Sequence, residues 1–214
     1  MKKKLILFFT IFILPLFVNA KIATVDTSHA KIQLLVETNE ILVNEDFVIG
    51  IKFEIEPGWH IYWKNPGDSG LPAEIEWKNI ESVEFKNFLW PSPQKTPEGP
   101  LMTYGYYNEV VIPAIFSVNR DYIENEPSIF EIDFLICEKI CIPEKAVIDF
   151  ALSNYSDEDI QFSRKILSSW YRELPTKFDS KLLVEASDNY FSICLLYTSP
   201  SPRDGFTSRM PSSA

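Results

Sequence analysis

The chain has 214 residues, of which 46% are hydrophobic, and its 30 acidic and 20 basic residues give a formal net charge of −10 at pH 7. An acidic surface argues against nucleic acid and anionic membranes as partners, because both carry the same sign of charge. The chain has only three cysteines and two histidines, which leaves few ligands for a closed four-ligand metal site.

Residues 1–20 have the layout of a secretory signal peptide. Three lysines precede an apolar stretch from Leu5 to Val18, and the small residue Ala20 marks the expected cleavage point. The apolar stretch is shorter than the roughly 20 residues that span a bilayer, although an uncleaved anchor is the alternative reading. We therefore expect export into an oxidising compartment, where thiols form disulfides.

Between residues 31 and 150, apolar and polar residues alternate as they do in half-buried β-strands. Turn residues such as Pro57-Gly58 separate the runs. The predicted strands are 32–36, 47–55, 75–77, 83–90, 109–118, 128–136 and 146–152. Short strands without intervening helices predict an all-β fold over residues 21–153, an antiparallel β-sandwich of immunoglobulin-like architecture.

Two segments depart from this alternation. Four prolines predict a long irregular loop between Trp90 and Tyr104. Residues 154–176 predict a boundary helix, with a capping box that starts at Ser156 and a stop at Pro175. The predicted apolar face of this helix consists of Ile160, Leu167, Trp170 and Leu174.

The end of the chain changes character twice. Alternation resumes after the helix, so residues 177–193 are expected to begin a second β domain that the chain cuts short. Residues 194–214 lose this periodicity and resemble translated sequencing adapter, so we expect a non-native tail there; a disordered natural tail is the alternative. Cys194 lies in this tail and is given no chemical role.

Cys137 and Cys141 lie in the segment FLICEKICIPEKA. Four extended residues span about 13 Å, whereas a disulfide needs Cα atoms within about 7 Å, so bridging requires a tight turn between them. Pro143 is then expected to delay the next strand. A ring this small restricts the unfolded chain by only about 2 kcal/mol, which favours a reactive pair over a purely structural bridge.

The segment GWHIYWKNPGDSGLP, residues 58–72, is rich in aromatic side chains. Strand alternation puts Trp59, Ile61 and Trp63 on one face and His60 and Tyr62 on the other. One set is expected to fill the core and the other to line a site, where His60 would act as an acid or base or lower a thiol pKa.

Two other chemistries compete with thiol–disulfide exchange. Two thiolates joined by His60 or Met102 would suit a cuprous ion or zinc. Exposed aromatic side chains on a β-sandwich would instead suit a secreted carbohydrate-binding module, in which the cysteine bridge is structural. The alternatives to a redox pair are therefore a metal site that uses the two cysteines and a carbohydrate-binding surface made of aromatic side chains.

Three segments together resemble the N-terminal periplasmic domain of the DsbD/ScsB family of protein-disulfide reductases, nearer the ScsB side. They are GWHIYWKNPGDSGLP, the stretch from WPSP to EGPLMTYGYYNEVVIPA, and FLICEKICIPEKA, and the match covers about residues 32–174. The resemblance implies an immunoglobulin-like domain whose cysteines receive electrons from a membrane-embedded domain through a thioredoxin-like domain. It also implies that these electrons pass to exported thiol–disulfide proteins.

The same resemblance implies a periplasmic domain of a protein held in the inner membrane, with membrane contact only through C-terminal parts missing from this chain. No bound cofactor or metal is implied, because the two sulfurs carry the electrons. Without the membrane and thioredoxin-like parts, we expect the fragment to be inactive as a reductase.

The resemblance assigns Cys137 and Cys141 as the catalytic pair, with Cys141 attacking the client and Cys137 resolving the mixed disulfide. It places His60 and Tyr62 beside the pair. Glu138 and Lys139 also line the predicted site, where Lys139 favours a thiolate and Glu138 opposes it.

In such domains a cap loop covers the pair until a partner docks. The matching positions here are Leu101, Met102, Thr103, Tyr104 and Gly105. The sequence departs from the better-known DsbD pattern in two ways: three residues rather than five separate the cysteines, and Thr103 stands where the cap carries Phe. A smaller polar residue at this position is expected to shield a disulfide less well.

Overall fold

A computed structural model describes residues 22–78, 82–118, 128–176, 182–186 and 191–195. The predicted signal peptide lies outside these ranges. One compact unit ends at Pro175 and a second begins at Thr176. Within the described ranges, no helix has the length and hydropathy of a membrane span.

The first unit contains eleven strands and one α-helix among the described residues. They are β1 (Thr24–Asp26), β2 (Ala30–Val36), β3 (Asp46–Ile55), β4 (His60–Gly67), β5 (Glu74–Lys78), β6 (Val83–Phe88), β7 (Gln94–Glu98), β8 (Leu101–Tyr107), β9 (Glu109–Val118), β10 (Ser128–Cys137), β11 (Cys141–Phe150) and α1 (Asp157–Trp170).

The strands form two antiparallel sheets that pack face to face. The first has the order β1-β2-β3-β9-β6 and the second β11-β10-β4-β8-β7, with β5 paired to β10 beside β4. Buried side chains from both sheets meet between them, as in the edge-to-face pair Phe53–Phe134 at 5.4 Å. The prediction of an immunoglobulin-like antiparallel β-sandwich followed by one helix is therefore confirmed.

Helix α1 packs on the outer face of the first sheet. Ser156 and Asp159 form the predicted capping box at its start. Leu167 is buried with Leu35 and Val111, and Gly50 leaves room for it, because a Cβ at Gly50 would lie 2.6 Å from Leu167 Cδ2. The helix thus covers part of the sheet that faces away from the main core.

The end of the helix corrects one prediction. The α-helix stops at Trp170, and a 3₁₀ turn follows over Tyr171–Glu173. Leu174 has extended backbone beyond this turn, so it does not belong to the apolar helix face on which it was predicted.

The irregular loop predicted between Trp90 and Tyr104 is also wrong, because this stretch contains the hairpin β7–β8. Pro97 pairs with Met102 inside the hairpin, and Gly99 at its turn has a φ of +63°. A proline is compatible with this position because β7 is an edge strand and its backbone needs no partner on the outer side.

Strand β11 corrects the expectation for Pro143. The strand starts at Cys141 rather than near residue 146, and Pro143 pairs in register with Leu135. Because β11 is also an edge strand, the missing N–H of the proline does not interrupt the sheet.

In the second unit, β12 (Leu182–Ala186) and β13 (Phe191–Leu195) pair as an antiparallel hairpin. Strand β13 extends through Cys194 to Leu195. Residues 196–214, which make up most of the expected non-native tail, lie outside the described residues.

Candidate redox site

The site is built on the hairpin that joins the two longest neighbouring strands of the second sheet. Cys137 ends β10 and Cys141 begins β11, and the two residues lie directly opposite each other in register with Cα atoms 4.1 Å apart. Their sulfurs form a disulfide. The predicted tight turn between the two cysteines is therefore confirmed.

Strand alternation turns this disulfide away from the main core. The even-numbered residues of β10, among them Phe134 and Ile136, are buried between the sheets, so Cys137 points to the opposite face. Cys137 is nevertheless only 3% exposed, whereas Cys141 is exposed. One residue of the pair is thus covered, and the other is open to solvent.

Strand β4 brings His60 and Tyr62 to the same face. His60 lies opposite Cys137 in the β4–β10 pairing, and its ring stands edge-on to Tyr62 at 5.2 Å. The Tyr62 hydroxyl donates a hydrogen bond to Cys137 Sγ at 3.2 Å and lies 3.4 Å from Cys141 Sγ. The structure therefore places a buried phenol against both sulfurs.

The remaining aromatic residues of β4 and the preceding turn contribute to packing. Trp59 stacks on His29 at 3.7 Å, and both Trp59 and Trp63 pack against the main core. Because His60 and Tyr62 are only 3% and 1% exposed, this segment does not present them as the open aromatic platform that a carbohydrate-binding module would need.

Glu138, Lys139 and Ile140 form the turn between the cysteines, and all three are exposed. The turn between the cysteines therefore carries an exposed carboxylate and an exposed ammonium group. Glu138 also faces the turn before β4, since a Cβ at Gly58 would lie 3.7 Å from its Oε1. The turn presents mixed charge and one apolar side chain to an approaching molecule.

The five predicted cap positions all lie in β8. Leu101 and Met102 are exposed at its start, near the hairpin turn. Thr103 is fully buried and donates from Oγ1 to the Thr96 carbonyl, and Tyr104 packs on Trp63 with ring centroids 6.4 Å apart. Gly105 lies opposite Tyr62 in the β4–β8 pairing.

Two residues that sequence reasoning missed lie in the turn after β4. The Asp68 carboxylate accepts a hydrogen bond from Met102 N–H at 2.8 Å, and the backbone of Gly70 packs on the Tyr62 ring. The letters GDSG in this turn mark a sharp change of direction. They do not reveal which side chain the turn contacts.

The structure does not assemble the predicted alternative metal ligands. The sulfurs of Cys137 and Cys141 are bonded to each other, so neither is a thiolate ligand in this state. Among the described residues, no three His, Cys, Asp or Glu side chains converge as metal ligands would.

Comparisons with known proteins identify a family for this chain. A family model described as the N-terminal part of thiol:disulfide interchange protein DsbD matches residues 33–152. A comparison with curated proteins gives no significant match.

Two solved structures match the chain to different degrees. The N-terminal periplasmic domain of ScsB from Proteus mirabilis has a TM-score of 0.57 and 22% identity, over 76% of this chain and 61% of that chain. The reduced N-terminal domain of DsbD from Neisseria meningitidis has a TM-score of 0.35 and 11% identity, over 56% of this chain and 83% of that chain. The chain therefore spans about three fifths of the ScsB structure, and that likeness concerns the fold.

The family match is the stronger finding, because it extends over more than half of the sequence and includes both bonded cysteines. The chain belongs to the family of N-terminal domains of the thiol:disulfide interchange protein DsbD.

Proposed function

We propose that this domain performs thiol–disulfide exchange through Cys137 and Cys141 as part of a protein-disulfide reductase. The observation that carries the proposal is a disulfide with one exposed and one buried cysteine, both within reach of the Tyr62 hydroxyl. The electrons come from a membrane reductase domain through a thioredoxin-like domain and pass to exported thiol–disulfide proteins in the periplasm.

In the incoming step, a thiolate of the reduced thioredoxin-like domain attacks Cys141 Sγ. The bond between Cys137 and Cys141 breaks, and its electron pair goes to Cys137 Sγ, which leaves as a thiolate. The second thiol of the partner then displaces Cys141. The partner becomes a disulfide, and this domain gains two electrons and two protons.

In the outgoing step, the Cys141 thiolate attacks the disulfide of an exported client. A mixed disulfide forms, and Cys137 then attacks Cys141 Sγ, which releases the client as a dithiol and restores the original bond. Exposure supports this order, because the exposed residue is the one that a second protein can reach.

Tyr62 supports the chemistry at the buried sulfur. Its hydroxyl donates to Cys137 Sγ, the sulfur that carries negative charge when Cys141 is attacked. A fixed donor aimed at developing charge in a covered site lowers the barrier of the step. His60, which lies opposite Cys137 and against Tyr62, belongs to the same wall of the site.

Exposed apolar side chains on the segments that connect to the pair suit a protein partner. Ile140 (69%) lies in the turn between the cysteines, Leu71 (63%) in the turn after β4, and Leu101 (40%) and Met102 (37%) at the start of β8. Exposed apolar surface next to a reactive group is what a docking protein can bury. In this proposal residues 101–105 act as the cap that a docking partner displaces.

The test is a redox titration of the chain with glutathione or dithiothreitol buffers. The thiol state of Cys137 and Cys141 is read by alkylation and mass spectrometry. A midpoint of about −200 to −270 mV is expected for an exchanging dithiol. A midpoint below about −300 mV is the value of a structural disulfide and would overturn the proposal.

The proposal also gives the cellular place of the domain. Residues 1–20 direct export, and the full-length protein resides in the inner membrane with this domain in the periplasm. The chain without the thioredoxin-like and membrane domains is inactive in turnover with a client but is reduced stoichiometrically by dithiothreitol.

A further inference from the structure

The phenol that contacts both sulfurs is covered by backbone. Gly70 packs so closely on the Tyr62 ring that a Cβ at this position would lie 2.4 Å from Cε1 and from Cζ. The φ of Gly70 is +94°, in the region that L side chains rarely adopt. Both the available space and the backbone angle therefore require glycine at this position.

The turn that carries Gly70 is fastened to the β7–β8 hairpin. The Asp68 carboxylate accepts from Met102 N–H at 2.8 Å, and Asp68 N–H donates to the Met102 carbonyl at 3.0 Å. Gly67 permits the close approach, since a Cβ there would lie 2.3 Å from the same carbonyl oxygen. One residue, Met102, thus links the turn to the predicted cap.

We propose, on the basis of the exchange reaction proposed above, that residues 67–72 form a positioning element for the redox pair. Gly70 holds the Tyr62 hydroxyl on the sulfurs, and Asp68 holds Gly70 in place. Both residues act through Tyr62, whose hydroxyl is the group that contacts the sulfurs.

The physical reason is the geometry of the leaving sulfur. The hydrogen bond from Tyr62 to Cys137 Sγ is 3.2 Å long, and a displacement of the ring weakens it, because the strength of a hydrogen bond depends on both its length and its angle. The Tyr62 ring cannot keep its position if a methyl group at residue 70 is placed against it. A looser turn likewise leaves the ring without its cover.

The assay is the reduction of the full chain by dithiothreitol under pseudo-first-order conditions, quenched with acid and alkylated. A dithiothreitol thiolate bonds to Cys141 Sγ, the disulfide breaks, and Cys137 takes the electron pair. The second thiol of the reagent then displaces Cys141. The reagent ends as a cyclic disulfide, and the protein gains two electrons and two protons.

Gly70→Ala is compared with Gly99→Ala, a matched control. Gly99 also has a positive φ, +63°, but a Cβ there meets nothing within 4 Å. We expect Gly70→Ala to slow reduction about threefold to tenfold, which is the effect of losing one hydrogen bond to a developing thiolate. Gly99→Ala is expected to stay within about twofold of the unmodified chain. Equal rates in the two variants would overturn the role of Gly70.

A double-variant cycle separates positioning from general destabilisation. Tyr62→Phe removes the hydroxyl and is expected to slow reduction by a similar factor. If Gly70 acts through that hydroxyl, Gly70→Ala adds no further slowing in the Tyr62→Phe background. Slowing that multiplies across the two changes would instead show that Gly70 acts independently of Tyr62, and would overturn the proposal.

The experiment on Asp68 variants does not change a glycine with positive φ. It therefore tests the proposal even if Gly70→Ala fails to fold. Asp68→Ala removes the acceptor for Met102 N–H, whereas Asp68→Asn keeps an oxygen at that position. We expect the alanine variant to slow reduction and the asparagine variant to restore the rate to within about twofold. Equal rates in the alanine variant and the unmodified chain would overturn the role of Asp68.

The two proposals fail in different ways. A midpoint potential typical of a structural bridge removes the exchange function itself. A normal midpoint combined with unchanged reduction rates in the Gly70 and Asp68 variants removes the positioning element and leaves the exchange function standing.

Discussion

The two bonded cysteines have opposite environments, although they face each other across one hairpin. Cys137 is 3% exposed beneath the aromatic wall of His60 and Tyr62, whereas Cys141 is exposed beside a charged turn. Reactivity of a thiol depends on access as well as on the fraction present as thiolate. The two residues are therefore expected to differ as nucleophiles when each is the only cysteine of the pair.

This difference gives a prediction for single-cysteine variants in a Cys194→Ser background. Cys137→Ser leaves a thiol at Cys141, which is expected to react with 5,5′-dithiobis-(2-nitrobenzoate) at least about tenfold faster than the thiol left by Cys141→Ser. The rates are read from absorbance at pH 8. In denaturant the two variants should react alike, and the reverse order in the folded chain would contradict the proposed attack on Cys141.

Tyr155 links the start of the chain to the segment before the helix. Its hydroxyl donates to the Leu34 carbonyl at 2.9 Å and accepts from Ala23 N–H at 3.3 Å. Burial raises the pKa of this hydroxyl well above its usual value of 10.0, and the charge of Asp159 raises it further, against the lowering by the Ala23 hydrogen bond. The folded chain therefore keeps the phenol protonated at pH values where the unfolded chain ionises it.

The pKa of Tyr155 is higher in the folded chain than in the unfolded chain. Its contribution to the free energy of unfolding is therefore fully present below pH 10 and is lost as the pH rises further. We expect the Tm to fall between pH 10 and pH 11, where one residue of this kind costs about 1 kcal/mol of unfolding free energy. Thermal scans of Tyr155→Phe provide the comparison. This variant is less stable at pH 8 by about 1 kcal/mol but loses less stability in alkali, and an equal alkaline loss would contradict the assignment.

At the scale of elements, α1 is held to the first sheet by a small buried cluster. Leu167 is fully buried against Leu35 and Val111, and Gly50 provides the space that its side chain fills. This cluster is separate from the main core between the sheets, in which Ile160 of the same helix is buried. Leu167 is thus one of two buried apolar anchors of the helix, and its truncation is expected to lower stability measurably.

Leu167→Ala is expected to lower the unfolding free energy by about 2 to 4 kcal/mol, because it removes buried methyl groups and leaves a cavity. Urea unfolding measures this change. Phe162→Ala, on the same helix but at a position 47% exposed, is the control and should cost less than about 1 kcal/mol. A Leu167→Ala cost as small as that of the control would show that the helix does not dock on the sheet through Leu167.

Alternation along the chain predicted the strands whose two faces differ in burial. In β3 and β10, apolar residues recur at every second position and fill one core. The hairpin β7–β8 was not predictable in this way, since Pro97 and Gly99 are typical of irregular loops. Pro97 is tolerated inside β7 because this strand lies at a sheet edge, which is a property of the assembled sheet and not of the segment.

The candidate site, too, was only partly predictable from the sequence. The paired cysteines and the aromatic residues of β4 stand out by residue type and resemblance. The contact of Gly70 with Tyr62 is not visible in the sequence, because it depends on the irregular register between Tyr62 and Gly67 where β4 meets β8. The bond between Asp68 and Met102 joins residues 34 positions apart, and only the folded chain brings them together.

At the scale of the whole molecule, the disulfide lies outside the main core. The sheets are joined by a large apolar cluster that extends through both of them, whereas the bridge closes a ring between residues four positions apart. Such a ring restricts the unfolded chain by about 2 kcal/mol, less than the usual 5 to 15 kcal/mol of a domain. The fold should therefore survive reduction.

Reduction with dithiothreitol is expected to lower the unfolding free energy by about 2 kcal/mol and to leave the far-ultraviolet circular dichroism spectrum unchanged. Urea unfolding with and without reductant measures the difference. A chain with both Cys137→Ser and Cys141→Ser should show no response to the reductant. Loss of the spectrum on reduction would mean that the bridge is a structural requirement of the fold.

The strand register that brings Cys137 opposite Cys141 is made by backbone pairing over the whole length of β10 and β11, so it persists when the sulfurs are reduced. The two thiols therefore remain neighbours, and each is present to the other at a high effective concentration. In the proposed exchange, a client bound to Cys141 through a mixed disulfide is released quickly, because the Cys137 thiol stays in position to attack that disulfide. Covalent complexes of the unmodified chain should accordingly be short-lived, and release of the client is favoured by the geometry of one hairpin.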